Sequence, residues 1–353
     1  MIPLIIPAYE PDDRLIELLN SLKKYSYGSV IIVDNGSGES YIDIFKKANI
    51  IANKVIVHEK NKGKGRALKT AFQYVLDNYS PVIGVVTADS DGQHTYSCIT
   101  KVAEALKENQ KSLVLGCHNF NKEGIPWKSR FGNNLTEKIF SYVAGIKVSD
   151  TQTGLRGIPK EFMHKLLDVP GERFEFETQM LLETVGKFPV LEVSIETIYD
   201  SEENHQTHFN PITDSIKIYK ILGKKFVKYV FSSCSSSVID LTMFTILCLF
   251  LKGKYVSYIV LATVLARIIS ATYNYFMNYK NVFQSSENLT NSGIKYLLLA
   301  LVQMGFSAAL VSGGVIVLKF IPDVVIKIVV DTILFLISYH IQQKCVFQTL
   351  RKT

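Results

Sequence analysis

Four long apolar stretches fill the second half of this 353-residue chain and constrain its fold more than any other feature. They run over 226–251, 255–279, 294–318 and 324–341. Each reaches or approaches the roughly 20 helical residues needed to cross about 30 Å of hydrocarbon. Inside lipid the backbone must satisfy its own hydrogen bonds, so stretches of this kind are helices. The connections Lys252–Lys254 and Lys319–Asp323 are short, which predicts two helical hairpins joined by a longer polar connection over 280–293. Four spans bring both termini to one side. Lys217, Lys220, Lys224, Lys225 and Lys228 precede the first span, Lys280 and Lys295 flank the middle connection, and Lys344, Arg351 and Lys352 close the chain. The positive-inside rule therefore expects both termini, and everything before the first span, to be cytoplasmic. The sequon at Asn288 would then lie on the side that is not glycosylated.

The first half has a different character. Residues 1–216 carry 24 basic and 28 acidic side chains, whereas residues 217–353 carry 15 and 4. The basic half is also the apolar half, which argues for a membrane domain and against nucleic-acid binding. The five cysteines are scattered without a Cys-x-x-Cys pair, so neither a disulfide framework nor a zinc site is expected. The opening residues lack a basic n-region and read as a strand, not a signal peptide. Apolar runs at 2–6, 29–33, 54–58, 82–87, 112–117 and 190–198 predict strands, and helical spacing at 14–24, 65–79 and 96–108 predicts helices between them. This alternation predicts an α/β fold with a doubly wound, mainly parallel sheet. The expected domains are 1–210, a juxtamembrane amphipathic helix over 211–225, and the membrane bundle over 226–353. No internal repeat is evident.

Four segments at predicted strand ends carry candidate chemistry, where open α/β sheets bind ligands. Thr87–His94 follows the fourth strand, and its Asp89 and Asp91, with Gln93, could hold Mg²⁺ or Mn²⁺ against a diphosphate; Asp91 or Thr95 could alternatively cap the next helix. Asp34 and Asn35 end the second strand, suited either to a nucleotide base or to an Asx-turn. Pro7, Tyr9 and Glu10 end the first strand, offering a ring to stack on a base and a carboxylate for a ribose, or simply a stiffened loop. The loop before the third helix, containing Gly63, Lys64 and Gly65, suits phosphate approach at a helix N-terminus.

As an ordered set these motifs resemble family 2 glycosyltransferases of the GT-A fold. Ser129–Asn134, Asp150–Arg156 and His205–Pro211 extend the resemblance to the polyprenyl-phosphate branch that includes dolichyl-phosphate mannose synthases. The four spans, with Asp240, Arg267, Tyr273–Tyr275, Lys327 and Asp331, resemble a GtrA-type domain. Glu10 is followed by Pro11 and departs from the family's Tyr-Asn-Glu order, and Asn35 stands where a second aspartate is common. The Gln-x-x-Arg-Trp motif of processive synthases is absent, since Trp127 is the sole tryptophan.

The resemblance implies inverting, metal-dependent transfer of a hexose from a nucleotide-sugar, UDP-linked by preference, to undecaprenyl phosphate for cell-envelope glycosylation. It assigns Asp89, Asp91, Arg130 and Arg156 to catalysis, with the arginines gripping the acceptor phosphate. Asn134, Thr207 and His208 would assist them, and Ser90 would join the donor site. Glu175 and Glu177 would border the sugar, although a helix first turn also favours acids. Segments 129–146 and 212–226 would lie in the membrane interface. Asp240 and Arg267 are expected to face the bundle interior and pair. Intramembrane charges of this sort also favour a homo-oligomer. Two competing readings are a glycolipid transporter whose soluble domain binds nucleotide-sugar, and a GDP-mannose-dependent mannose synthase.

Overall fold

The computed structural model describes residues 1–25, 27–118, 140–142, 145, 148–195, 213–252, 258–318 and 320–347. The chain divides into two compact units, Met1–Ile221 and Leu222–Thr353.

Among the described residues the first unit has seven strands: β1 (Leu4–Ala8), β2 (Val30–Asp34), β3 (Lys54–Val57), β4 (Gly84–Thr87), β5 (Leu113–His118), β6 (Arg156–Pro159) and β7 (Val190–Ile195). Their order across the sheet is β3-β2-β1-β4-β6-β5-β7. β6 alone runs antiparallel, against β4 on one side and β5 on the other. β1, β2 and β4 are apolar along nearly their whole length and fully buried, as strands covered on both faces must be. Helices α1 (Asp13–Lys24), α2 (Ile42–Ile51), α3 (Lys64–Asn78), α4 (Tyr96–Glu108), α5 (Lys160–Leu167) and α6 (Glu175–Glu183) supply the cover. Leu15, Leu18, Leu19 and Leu22 of α1 and Cys98, Ile99, Val102 and Leu106 of α4 close the core around β1 and β4.

The chain steps from β1 out to β2 and β3, then returns to lay β4 on the other side of β1. Ligands of open α/β sheets bind at such a reversal, outside the strands' carboxyl ends. The β1–β4 ladder covers only Leu4 and Ile5. Pro7 has no N–H to extend it, so the two strands are free to part beyond this point. Pro7 is itself buried within β1, opposite Val33.

The second unit contains α7 (Thr213–Leu251), which enters from the first, then α8 (Tyr258–Met277), α9 (Leu289–Val317) and α10 (Asp323–Ile341). Among the described residues, four segments are long and apolar enough to cross a membrane: Gly223–Leu251, Tyr258–Val282, Leu289–Val317 and Asp323–Val346. Asp240 and Arg267 pair as expected, at 3.5 Å, and Ser270 Oγ donates to Asp240 at 2.8 Å; the expectation that both face the bundle interior is corrected for Arg267, whose side chain is 72% exposed.

The expectation of no internal repeat is also corrected. α8 and α10 each continue into a five-residue π turn, Asn278–Val282 and Gln342–Val346. A shift of 64 positions superimposes these turns and aligns Tyr275, Lys280, Val282, Phe283 and Gln284 with Tyr339, Lys344, Val346, Phe347 and Gln348. The contacts obey the same shift. Tyr275 meets Phe347 at 5.7 Å, and its counterpart Tyr339 meets Phe283 at 5.7 Å. Asn278 donates to its own counterpart Gln342 at 3.0 Å, and Phe283 stacks on its own counterpart Phe347 at 5.2 Å. Residues that touch their own equivalents lie on a twofold axis. The ends of α8 and α10 thus pack about a local pseudo-twofold at the π turns.

Candidate active site

The site forms at the carboxyl ends of β1, β2 and β4. After Thr87 the chain leaves β4, and Thr87 Oγ1 donates to the Gly154 carbonyl at 2.8 Å. This bond draws the 151–155 turn against the acidic segment, so closely that a Cβ on Gly154 would collide with the Asp89 carboxylate. Thr95, not Asp91, caps α4, its hydroxyl accepting from the Cys98 N–H at 3.3 Å. Asp91 instead accepts from the Gln93 N–H at 3.1 Å, which tightens the turn between the two.

Lys64, the first residue of α3, ties the site together. Its Nζ lies 2.7 Å from Asp89 Oδ1 and 2.9 Å from Glu177 Oε1. Burial alone would lower the lysine's pKa; the two carboxylates outweigh it and raise the pKa above its ordinary value. Burial would likewise raise Asp89, but Lys64, His94 and Arg156 hold it below the usual carboxylate range. Asp91 moves the other way. Burial raises it, the Asp89 charge adds to the effect, and Gln93, Lys64 and Arg14 only partly oppose them. One carboxylate of the pair is therefore neutralised by an internal cation, while the other retains an electrostatic deficit.

Gly63 makes this arrangement attainable. It takes φ +93°, and a Cβ there would strike the Glu172 carbonyl, so α3 can begin only with glycine tight against the segment leading into α6. Glu177 sits in the first turn of α6, buried and facing Lys64. Glu175 follows the other expectation for this turn: its carboxylate accepts from the Glu172 and Arg173 N–H groups at 3.2 and 3.3 Å.

The first two strand ends meet the same crevice. Glu10 holds a left-handed φ of 49° and donates its N–H to Ser37 Oγ at 2.9 Å, linking the β1 and β2 termini. Tyr9 bonds Glu10, which raises the phenol's pKa, while Asn61 acts in the opposite direction. Asp34 accepts from the Ser37 N–H at 2.9 Å, a bond three residues on that closes the turn after β2 and leaves the second carboxylate oxygen outside it. Asn35 is buried and spent: it donates to Asn61 Oδ1, accepts from the Lys62 N–H, and lies 2.9 Å from His58 Nδ1. The expectation that Asn35 contacts a nucleotide is corrected; its amide holds the β3–α3 loop in place. Ser90 lies between the two aspartates, partly exposed.

Arg156 is the clearest correction. It is 1% exposed in the middle of the sheet. Its guanidinium donates to the carbonyls of Thr153 and Glu177 at 2.8 Å each and of Thr151 at 3.3 Å. A side chain buried and bonded in this way is not placed to grip an acceptor phosphate. It positions the turn behind Asp89 and the N-terminus of α6. Arg130, Asn134, Thr207 and His208 lie outside the described residues, as do most of 129–146 and the segment 196–212. Two neighbours of the site went unread in the sequence. His94 is buried beside Asp89, and Arg14 packs against Gly92 in the turn that carries Asp91.

Residues 4–167 match the family described as Glycosyl transferase family 2, and residues 223–347 match the GtrA/DPMS transmembrane domain. Among curated proteins, the chain is 31% identical to UDP-N-acetylglucosamine--dolichyl-phosphate N-acetylglucosaminyltransferase of Methanococcus voltae, over 56% of this chain and 86% of that one. It is 30% identical to an uncharacterised protein of Methanocaldococcus jannaschii, over 63% and 90% of the two chains. It is 26% identical to dolichyl-phosphate beta-glucosyltransferase of Saccharomyces cerevisiae, over 62% and 72%.

Proposed function

The chain belongs to glycosyl transferase family 2 and carries a GtrA/DPMS transmembrane domain, and from that premise we propose that it transfers a hexose from a nucleoside-diphosphate sugar to a polyprenyl phosphate. The observation that carries this reading is the acidic pair Asp89–Asp91, set at the sheet's switch point beside Lys64. Relatives named for dolichyl-phosphate acceptors support the lipid phosphate as acceptor. A UDP-linked donor is favoured, in keeping with the UDP donor in the name of the Methanococcus relative.

Tyr9, Glu10 and Asp34 at the ends of β1 and β2 would take the nucleoside. Asp91, Asp89 and Gln93 fit a divalent cation. Their donors are hard oxygens, carried by one short turn at the carboxyl end of β4. Among the described residues no three His, Cys, Asp or Glu side chains gather, so the remaining ligands would be diphosphate oxygens and water. Mg²⁺ or Mn²⁺, when bound, would offset charge on the leaving diphosphate. Lys64 can exchange one partner for a diphosphate oxygen while Glu177 keeps its place. The acceptor phosphate has a second pKa of about 6 and arrives largely dianionic, so the chain needs no general base. A phosphate oxygen forms the new bond to the anomeric carbon as the bond to the diphosphate breaks, and the configuration inverts. The basic residues flanking the spans support a cytoplasmic placement of this unit.

The test is a panel of UDP- and GDP-sugars with polyprenyl phosphate and Mn²⁺ or Mg²⁺, read as nucleoside diphosphate release. Release that requires both one sugar nucleotide and the lipid phosphate supports the proposal. Release with no dependence on the lipid phosphate overturns it, as does tight nucleotide-sugar binding without turnover.

A further inference from the structure

The pseudo-twofold of the membrane unit makes Arg267 and Asp331 equivalent positions, since the 64-residue shift that relates the π turns also relates these two. The two positions therefore match in register from the π turns and are opposite in charge. Arg267 lies nine residues into α8 and Asp331 eight into α10, about 12–14 Å along each helix. Both fall near the middle of the hydrocarbon.

Neither is hidden within its own chain. The Arg267 side chain is 72% exposed, and Asp331 is 46% exposed. Each is held at its depth from within: Arg267 by Asp240 at 3.5 Å, Asp331 by Ser307 Oγ at 2.6 Å and Lys327 Nζ at 2.9 Å. Asp331 and Lys327 line a groove of about 630 Å³ with Val311 and Phe335. Ionised groups at this depth are costly in lipid and face protein or water in membrane proteins. Lipid headgroups lie at the interfaces, so they do not reach this level. Lys327, one turn nearer the helix start, can extend toward the interface; Asp331 is too short to follow.

We propose that the membrane unit associates side by side with further copies of this chain, the Arg267 face of one copy seating against the Asp331 groove of the next. The twofold supplies the geometry: equivalent residues lie at one depth on opposite sides of the domain, so the contact repeats head to tail. Such an interface closes into a ring if its rotation permits. The occupant is a second copy because opposite charge at equal depth is what the chain itself presents.

The test uses the full chain in lipid nanodiscs and in detergent. Arg267→Gln and Asp331→Asn are each expected to lower self-association at least tenfold, measured by light scattering and by photobleaching steps. Because either change could disturb the hairpin, a second set of variants keeps both charges. All five native cysteines are replaced, the buried Cys98 and Cys117 by alanine and the other three by serine, and single cysteines are placed at Ile268, beside Arg267, and at Ile328, in the groove. Neither single-cysteine protein is expected to cross-link to itself, whereas a mixture of the two is expected to form dimers and a chain carrying both to form a ladder. A wild-type monomer in nanodiscs overturns the proposal. So does association that survives both neutralisations, or cross-linking by one single-cysteine variant alone, which would mark a symmetric face-to-face contact.

Discussion

Lys64→Met removes the one cation shared by Asp89 and Glu177 without removing the bulk of the stem. Deleting one partner of a buried ion pair costs about 3–5 kcal/mol, because the remaining charge stays desolvated. Here Lys64 is 16% exposed and Glu177 10%, but Asp89 is 30% exposed, so water recovers part of its solvation. The lower end applies, about 3 kcal/mol. For a unit of this size each kcal/mol shifts the melting temperature by about 2–4 °C, so a fall of about 6–12 °C is expected. The assay is thermal unfolding of purified protein followed by circular dichroism. Adding Glu177→Gln should recover roughly half of the loss, because the better-buried carboxylate is then neutral. Mn²⁺ should stabilise Lys64→Met more than wild type, since Asp89 is then released to the cation. An unchanged melting temperature in Lys64→Met would refute the reasoning, as would strictly additive losses in the double variant.

Three further outcomes follow from the same geometry. Gly154→Ala places a methyl against the Asp89 carboxylate, and sugar transfer should fall at least tenfold while the far-ultraviolet circular dichroism spectrum is preserved. Arg156→Met removes the guanidinium donors to the carbonyls of Thr151, Thr153 and Glu177; at about 1 kcal/mol or more for each, denaturant unfolding should show a loss of about 3 kcal/mol or more. His58 is lowered in the folded chain by burial and by Lys62, against the pull of Asp34. The unfolded state thus binds more protons, so this contribution to stability is present above about pH 6.5 and lost as pH falls below it. His58→Gln should flatten that part of the melting-temperature profile.

Elements whose stabilising contacts are periodic in sequence were legible. β1, β2 and β4 are unbroken apolar runs, α4 was read at its observed bounds, and the four spans were read to within a few residues. β6 was hidden because Arg156, Gly157 and Pro159 look unlike a strand. It forms because backbone carbonyls absorb the guanidinium and because Gly157 lies under Val102 and Leu106 of α4. α6 escaped notice because Phe176, Glu177, Thr178, Met180 and Leu181 are buried together, which erases a one-sided stripe. In the site, the acidic pair and the strand-end placement could be read locally. The partner of Lys64 could not: Glu177 is brought to it only by the fold. Arg156 was misread for the related reason that an arginine in a motif gives no sign of whether its donors are already spent. The repeat of the π turns escaped because its matching residues cluster only there, while positions farther along the helices, such as Arg267 and Asp331, differ.

The most direct test of the central claim is the product formed by wild type and by Asp91→Asn from one sugar nucleotide and polyprenyl phosphate, identified by mass spectrometry. Wild type should yield a lipid monophosphate bearing one hexose, and Asp91→Asn, folded to the same melting temperature or higher, should yield at least a hundredfold less. Equal product from the two proteins would contradict the account.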